Sequence, residues 1–306
     1  MNESIDISIL ENKENKNHKA GFVNIVGKPN AGKSTLLNAL MGEKLAIVTH
    51  KAQTTRHRIF GILNEEDYQI IFSDTPGVLE PKYELQEKMM DFVKESFKDA
   101  DIILFITEIG DEKQPNEYLL KKLQKIEIPF LIILNKIDTS TQDKMHESIT
   151  FWHNLLPNAE ILPISALEKF NIDFIIPKLV SLLPESPPFY PKDAITDKPE
   201  RFFVNETIRE KILLNYKKEI PYSVEIVTES FKEDENILKI EAIIYVERDS
   251  QKGIIIGHKG EMLRKIAIES MKDLEQFFNK RIDLNLFIKV KKDWRKSKND
   301  VKNFGY

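Results

Sequence analysis

The sequence predicts an α/β protein in two parts: a doubly wound, mostly parallel sheet over residues 20–184, then a smaller α+β unit over 201–291. Three observations carry this. Continuous apolar runs such as Ile102–Ile106 and Phe130–Leu134 alternate with amphipathic stretches, as in parallel strands covered on both faces. A segment with five prolines in 17 residues, 183–199, interrupts the pattern. Beyond it the rhythm changes to helix, strand, strand, helix, helix, strand. The length of 306 residues suits two units, and 41% hydrophobic with 31% charged residues excludes fibrous and fully disordered classes.

In chain order, the first unit has expected strands at Gly21–Val26, Arg58–Asn64, Tyr68–Asp74, Ile102–Thr107, Phe130–Asn135 and Glu160–Ser165. Helices are expected at Lys33–Leu40, Tyr83–Phe97, Asn116–Ile126, Lys144–Leu155 and Ile172–Leu183. Residues 185–200 read as a semi-rigid proline-rich linker. In the second unit a helix spans Arg201–Tyr216, and strands Ser223–Phe231 and Ile237–Glu247 are joined by a polar turn. A short helix near Gln251–Ile256, a glycine loop, a helix Glu261–Phe278 and a strand Ile282–Val290 follow. Residues 292–306 read as a basic C-terminal tail.

Residues 1–19 are polar and mixed in charge, without the basic start and apolar block of a signal peptide, and are expected to form a disordered or loose extension. No apolar run reaches the roughly 20 residues of a spanning helix. With no cysteine, disulfides and thiolate metal sites are excluded, which fits a reducing compartment. The net charge of -4 is uneven: residues 248–306 carry 15 Lys+Arg against 8 Asp+Glu. That basic third suits either a polyanion partner or an ordinary solvated surface.

The sharpest motif is Gly27, Lys28, Pro29, Asn30, Ala31, Gly32, Lys33, Ser34, the G-x-x-x-x-G-K-[ST] pattern, followed by Thr35. It lies between an expected strand and an expected helix, where backbone N–H groups and the helix N-terminus converge on phosphate oxygens. Lys33 is expected to bridge the β- and γ-phosphates and Ser34 to ligate Mg2+. Asp74, Thr75, Pro76 and Gly77 end the third strand. An acid there is the Walker-B arrangement, Asp74 holding Mg2+ through water and the Gly77 N–H sensing the γ-phosphate. Between them, Lys51–Arg56 is polar and lies between elements, as a switch loop does, with Thr55 rather than Thr54 as the expected Mg2+ ligand. The stretch Val78–Lys88 reads as the second switch. Lys33, Thr55 and Gly77 are thus the expected catalytic set.

Asn135, Lys136 and Asp138 form N-K-x-D, which resembles the guanine-specificity motif of the GTPase superfamily. Guanine offers N1–H and N2–H2 side by side, and the Asp138 carboxylate can accept both. Adenine would leave that carboxylate unpaired, a mismatch that discriminates by about 10⁴–10⁵-fold. Ser165, Ala166 and Leu167 resemble the companion loop, the Ala166 N–H reaching guanine O6. Val78 stands where Ras-like enzymes carry a water-orienting Gln, so unassisted hydrolysis should be slow, at about 10⁻⁴–10⁻² s⁻¹. A cation near the phosphates could supply the missing charge, with Asn30 a candidate K+ ligand.

In the second unit, Ile254, Ile255 and Ile256 lead into Gly257, His258, Lys259 and Gly260, with a helix after them. This resembles the GXXG loop of a type II KH domain, which clamps the backbone of single-stranded nucleic acid. Lys289, Lys291, Lys292 and Trp294 mix positive charge with an aromatic ring. They could contact RNA phosphates and stack on a base, or Trp294 could dock on the core.

Taken together, GKPNAGKS, KAQTTRHRI, DTPG, NKID and SAL, followed by ITDKPERF, NETIREK, IPYSVEI, VERDSQKGIIIGHKG and W…GY, resemble the Era family of bacterial GTPases. The resemblance covers residues 20–306. It implies a P-loop GTPase domain and a KH domain, GTP, GDP and Mg2+ as ligands, and binding to the 3′-end region of 16S ribosomal RNA. It further implies a role in maturation of the small (30S) ribosomal subunit, a monomer, and a cytoplasmic location with peripheral contact at the inner face of the cell membrane. Two other readings compete. A tRNA-modification enzyme built on a related GTPase domain would need an extra N-terminal domain and a C-terminal cysteine. A membrane-associated signalling switch in growth or cell-cycle control would turn the basic end toward anionic lipid.

Overall fold

Strand β1 (Lys19–Gly27) is the pivot of the first sheet. The structure, a computed structural model, describes residues 18–306, so the expectation for residues 1–17 lies outside the described residues. His18 and Lys19, assigned to the extension, instead join the first unit: His18 Nδ1 lies 2.8 Å from the Ser186 carbonyl oxygen, and Lys19 opens β1.

The chain continues through α1 (Lys33–Met41), β2 (Ile59–Asn64), β3 (Tyr68–Asp74), α2 (Glu84–Ser96), β4 (Ile102–Glu108) and α3 (Glu117–Leu123). It then forms β5 (Phe130–Asn135), α4 (Gln142–Leu155), β6 (Glu160–Pro163) and α5 (Ile175–Leu182). The strand order is β2-β3-β1-β4-β5-β6, with β2 antiparallel and the others parallel. Strands β1 and β4 alternate between two cores, as the two-residue strand period requires. Val23, Ile25, Leu104 and Ile106 face α1 and α5, while Val26, Ile103 and Phe105 face Val93, Leu119 and Trp152. Both neighbours of β1 lie in the same sheet, β3 on one side and β4 on the other, so the strand order reverses there and a crevice opens at its C-terminal end.

The proline-rich segment does not hang free. Its Thr196 forms a bridge with Gly61, and the Ile195 carbonyl accepts from Ile62 N at 2.9 Å. Asp197 accepts from Phe60 N at 2.9 Å, and the Phe189 and Tyr190 amides donate to Gln69 Oε1. Proline lowers helix and strand propensity but leaves carbonyls free to accept, so this chain packs along the outer edge of β2.

The second unit comprises α6 (Glu200–Asn215), α7 (Ile220–Ser223), β7 (Glu225–Glu233), β8 (Ile237–Val246), α8 (Asp249–Ile256), α9 (Glu261–Phe278), β9 (Arg281–Val290) and α10 (Lys298–Asn303). β7 pairs antiparallel with β8 and β8 pairs parallel with β9, from Ile237↔Arg281 to Val246↔Val290. Val204, Ile208 and Ile212 recur every fourth residue on α6 and pack with Ile240, Ile244, Ile266 and Leu274. Helices α7 and α10 were absent from the expected pattern; at 4 and 6 residues they are too short to show a helical period.

Residues 292–306 are not a free tail. Trp294 is fully buried, clustered with Leu85 and Met89 of α2 and with Val301, and its Nε1 donates to the Ser223 carbonyl at 3.0 Å. Its expected stacking on an RNA base is therefore corrected: the indole has no face left to offer. Lys291 likewise pairs with Asp300 at 2.8 Å and lies over the Phe304 ring, so its charge serves this docked segment.

Candidate nucleotide site and glycine loop

Four oxygens meet at the C-terminal end of β1 and β3. Ser34 Oγ donates to Asp74 Oδ2 at 2.6 Å and lies 2.8 Å from Thr55 Oγ1, which is itself 3.3 Å from the same carboxylate oxygen. Asp74 Oδ1 is buried with no hydrogen-bond partner. Two hydroxyls and a carboxylate with an unused oxygen form a set of hard donors, which suits Mg2+. Of the two threonines, Thr54 turns the other way, its hydroxyl donating to the Lys51 carbonyl at 2.6 Å and lying 2.7 Å from Thr49 Oγ1. Burial raises the Asp74 pKa, against the pull of Lys33 and the hydrogen bonds from Ser34, Thr55 and Thr75.

Lys33 arches back over the loop, donating to the Lys28 carbonyl at 2.8 Å and the Gly27 carbonyl at 3.3 Å. Burial pulls its amine down to about 8, only partly offset by the Asp74 charge. A bound anion would restore the solvation that burial removes. Lys28 is tied to Asp111 at 2.7 Å, and Asn30 Nδ2 donates to the His50 carbonyl at 3.1 Å, bringing this side chain against the switch loop. Gly77 passes so close to the loop that an added Cβ would sit 2.6 Å from the Pro29 backbone. Val78 N donates to the Gly27 carbonyl at 3.1 Å while its side chain is buried with Met90 and Val93, leaving it no means of orienting water.

Lys33, Ser34 and Thr55 share one cavity of about 650 Å3 with Asn135, Lys136, Asp138, Ser165 and Leu167. Asp138 is exposed, and among the described residues it has no hydrogen bond or ion pair. Lys136 adopts φ 63° and pairs with Glu108. Asn135 is buried and braces the two loops that flank the cavity. Its Nδ2 donates to the Ala31 carbonyl and its Oδ1 accepts from Ala166 N, both at 2.9 Å. It braces the phosphate loop against the 165–167 loop, and the Ala166 amide expected at guanine O6 is already engaged by it.

In the second unit, α8 ends at Gly257, which has φ 72° and a position where a Cβ would lie 2.7 Å from Met262. His258 and Lys259 are exposed in a single 3-10 turn, Lys259 at φ 49°, and Gly260 caps the 18-residue helix α9. Ile256 and Gly257 are half-buried, and Lys289 and Lys292 are exposed.

Comparison with known proteins follows this division. Residues 22–136 match a family model described as 50S ribosome-binding GTPase, and residues 219–295 match one described as KH domain. The chain is 45% identical to the GTPase Era of Geotalea daltonii over 94% of its own length and 97% of that protein. It belongs to the Era family of GTPases. The Era of Syntrophus aciditrophicus is 46% identical, over 94% and 95% of the two chains. A crystal structure of Era in complex with MgGDPNP and nucleotides 1506–1542 of 16S ribosomal RNA superposes with a TM-score of 0.90 at 38% identity, covering 94% of this chain and 99% of that one. An Era variant from Aquifex aeolicus bound to GDP and AlF4− gives 0.89 at 38% identity, with the same coverage. No helix among the described residues is long and apolar enough to cross a membrane.

Nothing local in the sequence of this Era-family chain marks the residues that join its two domains. Arg56 and Arg209 are fully buried, and each reaches into the opposite domain. A basic residue beside a switch threonine gives no sign in the sequence of whether it points to solvent or to a neighbour 165 or more residues away.

Proposed function

We propose that the chain is a GTP-driven switch that binds the 3′-end region of 16S ribosomal RNA through its KH domain and assists maturation of the 30S subunit. The observation that carries this is the single cavity lined by Ser34 and Thr55, whose hydroxyls meet the buried Asp74 carboxylate behind them, and by the unpaired Asp138. Residues 27–35 and 74–77 cradle the phosphates, and Ser34, Thr55 and Asp74 hold Mg2+, which neutralises charge developing on the phosphates. Asp138 selects guanine, with Lys136 along the base and Ala166 sharing its amide between Asn135 and the guanine oxygen. Lys33 donates to the phosphates in place of the loop carbonyls it now meets. With Val78 buried, water orientation falls to backbone groups near Thr55 and Gly77, and unassisted turnover is slow. Asn30, held beside the switch loop, supplies its free Oδ1 to K+ there.

On the RNA side, Gly257 and Gly260 allow a phosphate backbone to approach, His258 and Lys259 supply charge, and Ile256 contributes to the apolar groove floor. The exposed Lys289 and Lys292 extend the basic surface. The protein acts as a cytoplasmic monomer.

The decisive test pairs two titrations. Calorimetry should show uptake of GTP and GDP but not ATP, and Asp138→Asn should shift preference to xanthine nucleotides, whose C2 carbonyl accepts from the Asn amide. Retained GTP preference in that variant would remove the role of Asp138. RNA carrying the small-subunit 3′ end should bind in the presence of a GTP analogue, and Gly257→Asp should abolish binding. RNA binding indifferent to that substitution would sink the KH assignment.

A further inference from the structure

The backbone around Thr55 is held from both sides by the KH domain. On one side, Arg209 of α6 donates to the Thr54 carbonyl and, at 3.5 Å, to the Gln53 carbonyl, while Glu206 fixes the other edge of its guanidinium. On the other side, Arg56 enters the KH domain. Its Nη1 donates to the Val224 carbonyl at 2.7 Å and to Glu225 at 3.2 Å, and its Nη2 to the Pro221 and Tyr222 carbonyls at 3.3 and 3.2 Å. The two arginines thus cross in opposite directions, one residue to either side of Thr55.

The same helix reaches further along the switch. Glu210 accepts from Val48 N at 3.4 Å and from Lys44 at 2.7 Å, and Lys51 donates to the Leu213 and Tyr216 carbonyls. Glu206, Arg209, Glu210 and Leu213 fall on one face of α6, so a single helical stripe holds the chain at points from Lys44 to Thr54, leading into the switch threonine. Buried charges held by several carbonyls and a carboxylate fix geometry well, because any displacement leaves a charge without partners. Thr55 Oγ1 is left pointing at Ser34 and Asp74.

We propose that Arg209 and Glu225 are positioning residues of the GTPase site: through Thr54 and Arg56 they hold Thr55 where it completes the Mg2+ ligand set. This rests on the reading of Ser34, Thr55 and Asp74 as that set. A GDP-bound site has no γ-phosphate to close on and needs Thr55 least, so the effect falls on the triphosphate state. Linkage makes it reciprocal: a closed triphosphate site stabilises the KH domain in this orientation, and whatever displaces α6 loosens the metal.

The test is the Mg2+ concentration that half-saturates retention of a fluorescent GTP analogue, alongside affinity for the matching GDP analogue. Arg209→Lys keeps a charge beside Glu206 but loses the fork, and Glu225→Gln keeps the shape of the Arg56 socket. Each should raise the Mg2+ requirement about tenfold, a typical coupling between sites, and leave GDP affinity unchanged. In a Thr55→Ala background neither should add to the loss, because both act through that hydroxyl. The proposal is overturned if GTP and GDP analogues weaken together, if the Mg2+ requirement is unchanged, or if the effects add to Thr55→Ala. Failure of the wild-type protein to take up guanine nucleotides at all would instead overturn the proposed function.

Discussion

Trp294 Nε1 donates to the Ser223 carbonyl at 3.0 Å while the indole packs against Leu85 and Met89, tying the end of the KH domain to helix α2, which follows the Asp74–Gly77 turn. Trp294→Ala should destabilise the protein by about 3–5 kcal/mol, read by denaturant titration. Trp294→Leu should weaken single-stranded RNA binding by less than the ~1–3 kcal/mol that loss of a base-stacking aromatic costs. A loss of that full size would return the ring to the RNA surface.

Asp74 sits where Ser34 and Thr55 meet, with one oxygen unpaired. Asp74→Asn keeps the volume but removes the charge that would face the metal. Single-turnover GTP hydrolysis should fall by about 10²–10³-fold, the usual cost of losing one electrostatic contact to the transition state. A rate within a few-fold of wild type would exclude Asp74 from the site.

Gly77→Ala places a methyl group 2.6 Å from the Pro29 backbone. The phosphate loop or the turn must then shift. Triphosphate affinity, measured by fluorescent-nucleotide titration, should drop more than diphosphate affinity, because on the proposed reading the Gly77 amide meets the γ-phosphate. Equal loss of both would mean that the substitution merely distorts the loop.

His57 stacks on Tyr306, with centroids 4.1 Å apart and planes 18° apart, and the Tyr306 hydroxyl donates to Glu225 at 2.9 Å. Burial, then the charges of Arg209, Lys198 and Arg56, push the imidazole down to about 3. An unfolded chain protonates its histidine near about 6.5. Between those values the unfolded state binds the extra proton, so this group subtracts stability as pH falls from about 6.5 toward 3. The thermal midpoint should therefore drop less between pH 7.5 and 5 in His57→Gln than in wild type. Identical drops would show that the imidazole is not held neutral.

That residues 27–35, 74–77 and 135–138 would meet around one cavity was legible, because each is a contiguous run at the end of a parallel strand. Phe130–Asn135 was legible to the residue because a parallel strand buried on both faces leaves an unbroken apolar run. What escaped was set by distance. The motif marks Asn135 for the base, but only the fold reveals the brace its two amide ends make between Ala31 and Ala166. Residues 292–306 carry the composition of a solvated basic tail, and only their partners in α2 and β7 show otherwise. Arg56 and Arg209 belong to the same class, since nothing local distinguishes a buried arginine from an exposed one.

The outer edge of β2 would ordinarily present a row of open amides, a template on which a second chain could extend the sheet. Here the amides of Phe60 and Ile62 are already taken by Asp197 and Ile195. The connector thereby guards the molecule against edge-to-edge aggregation, and cutting it between the two domains should shorten the time to turbidity on warming even where both halves remain folded.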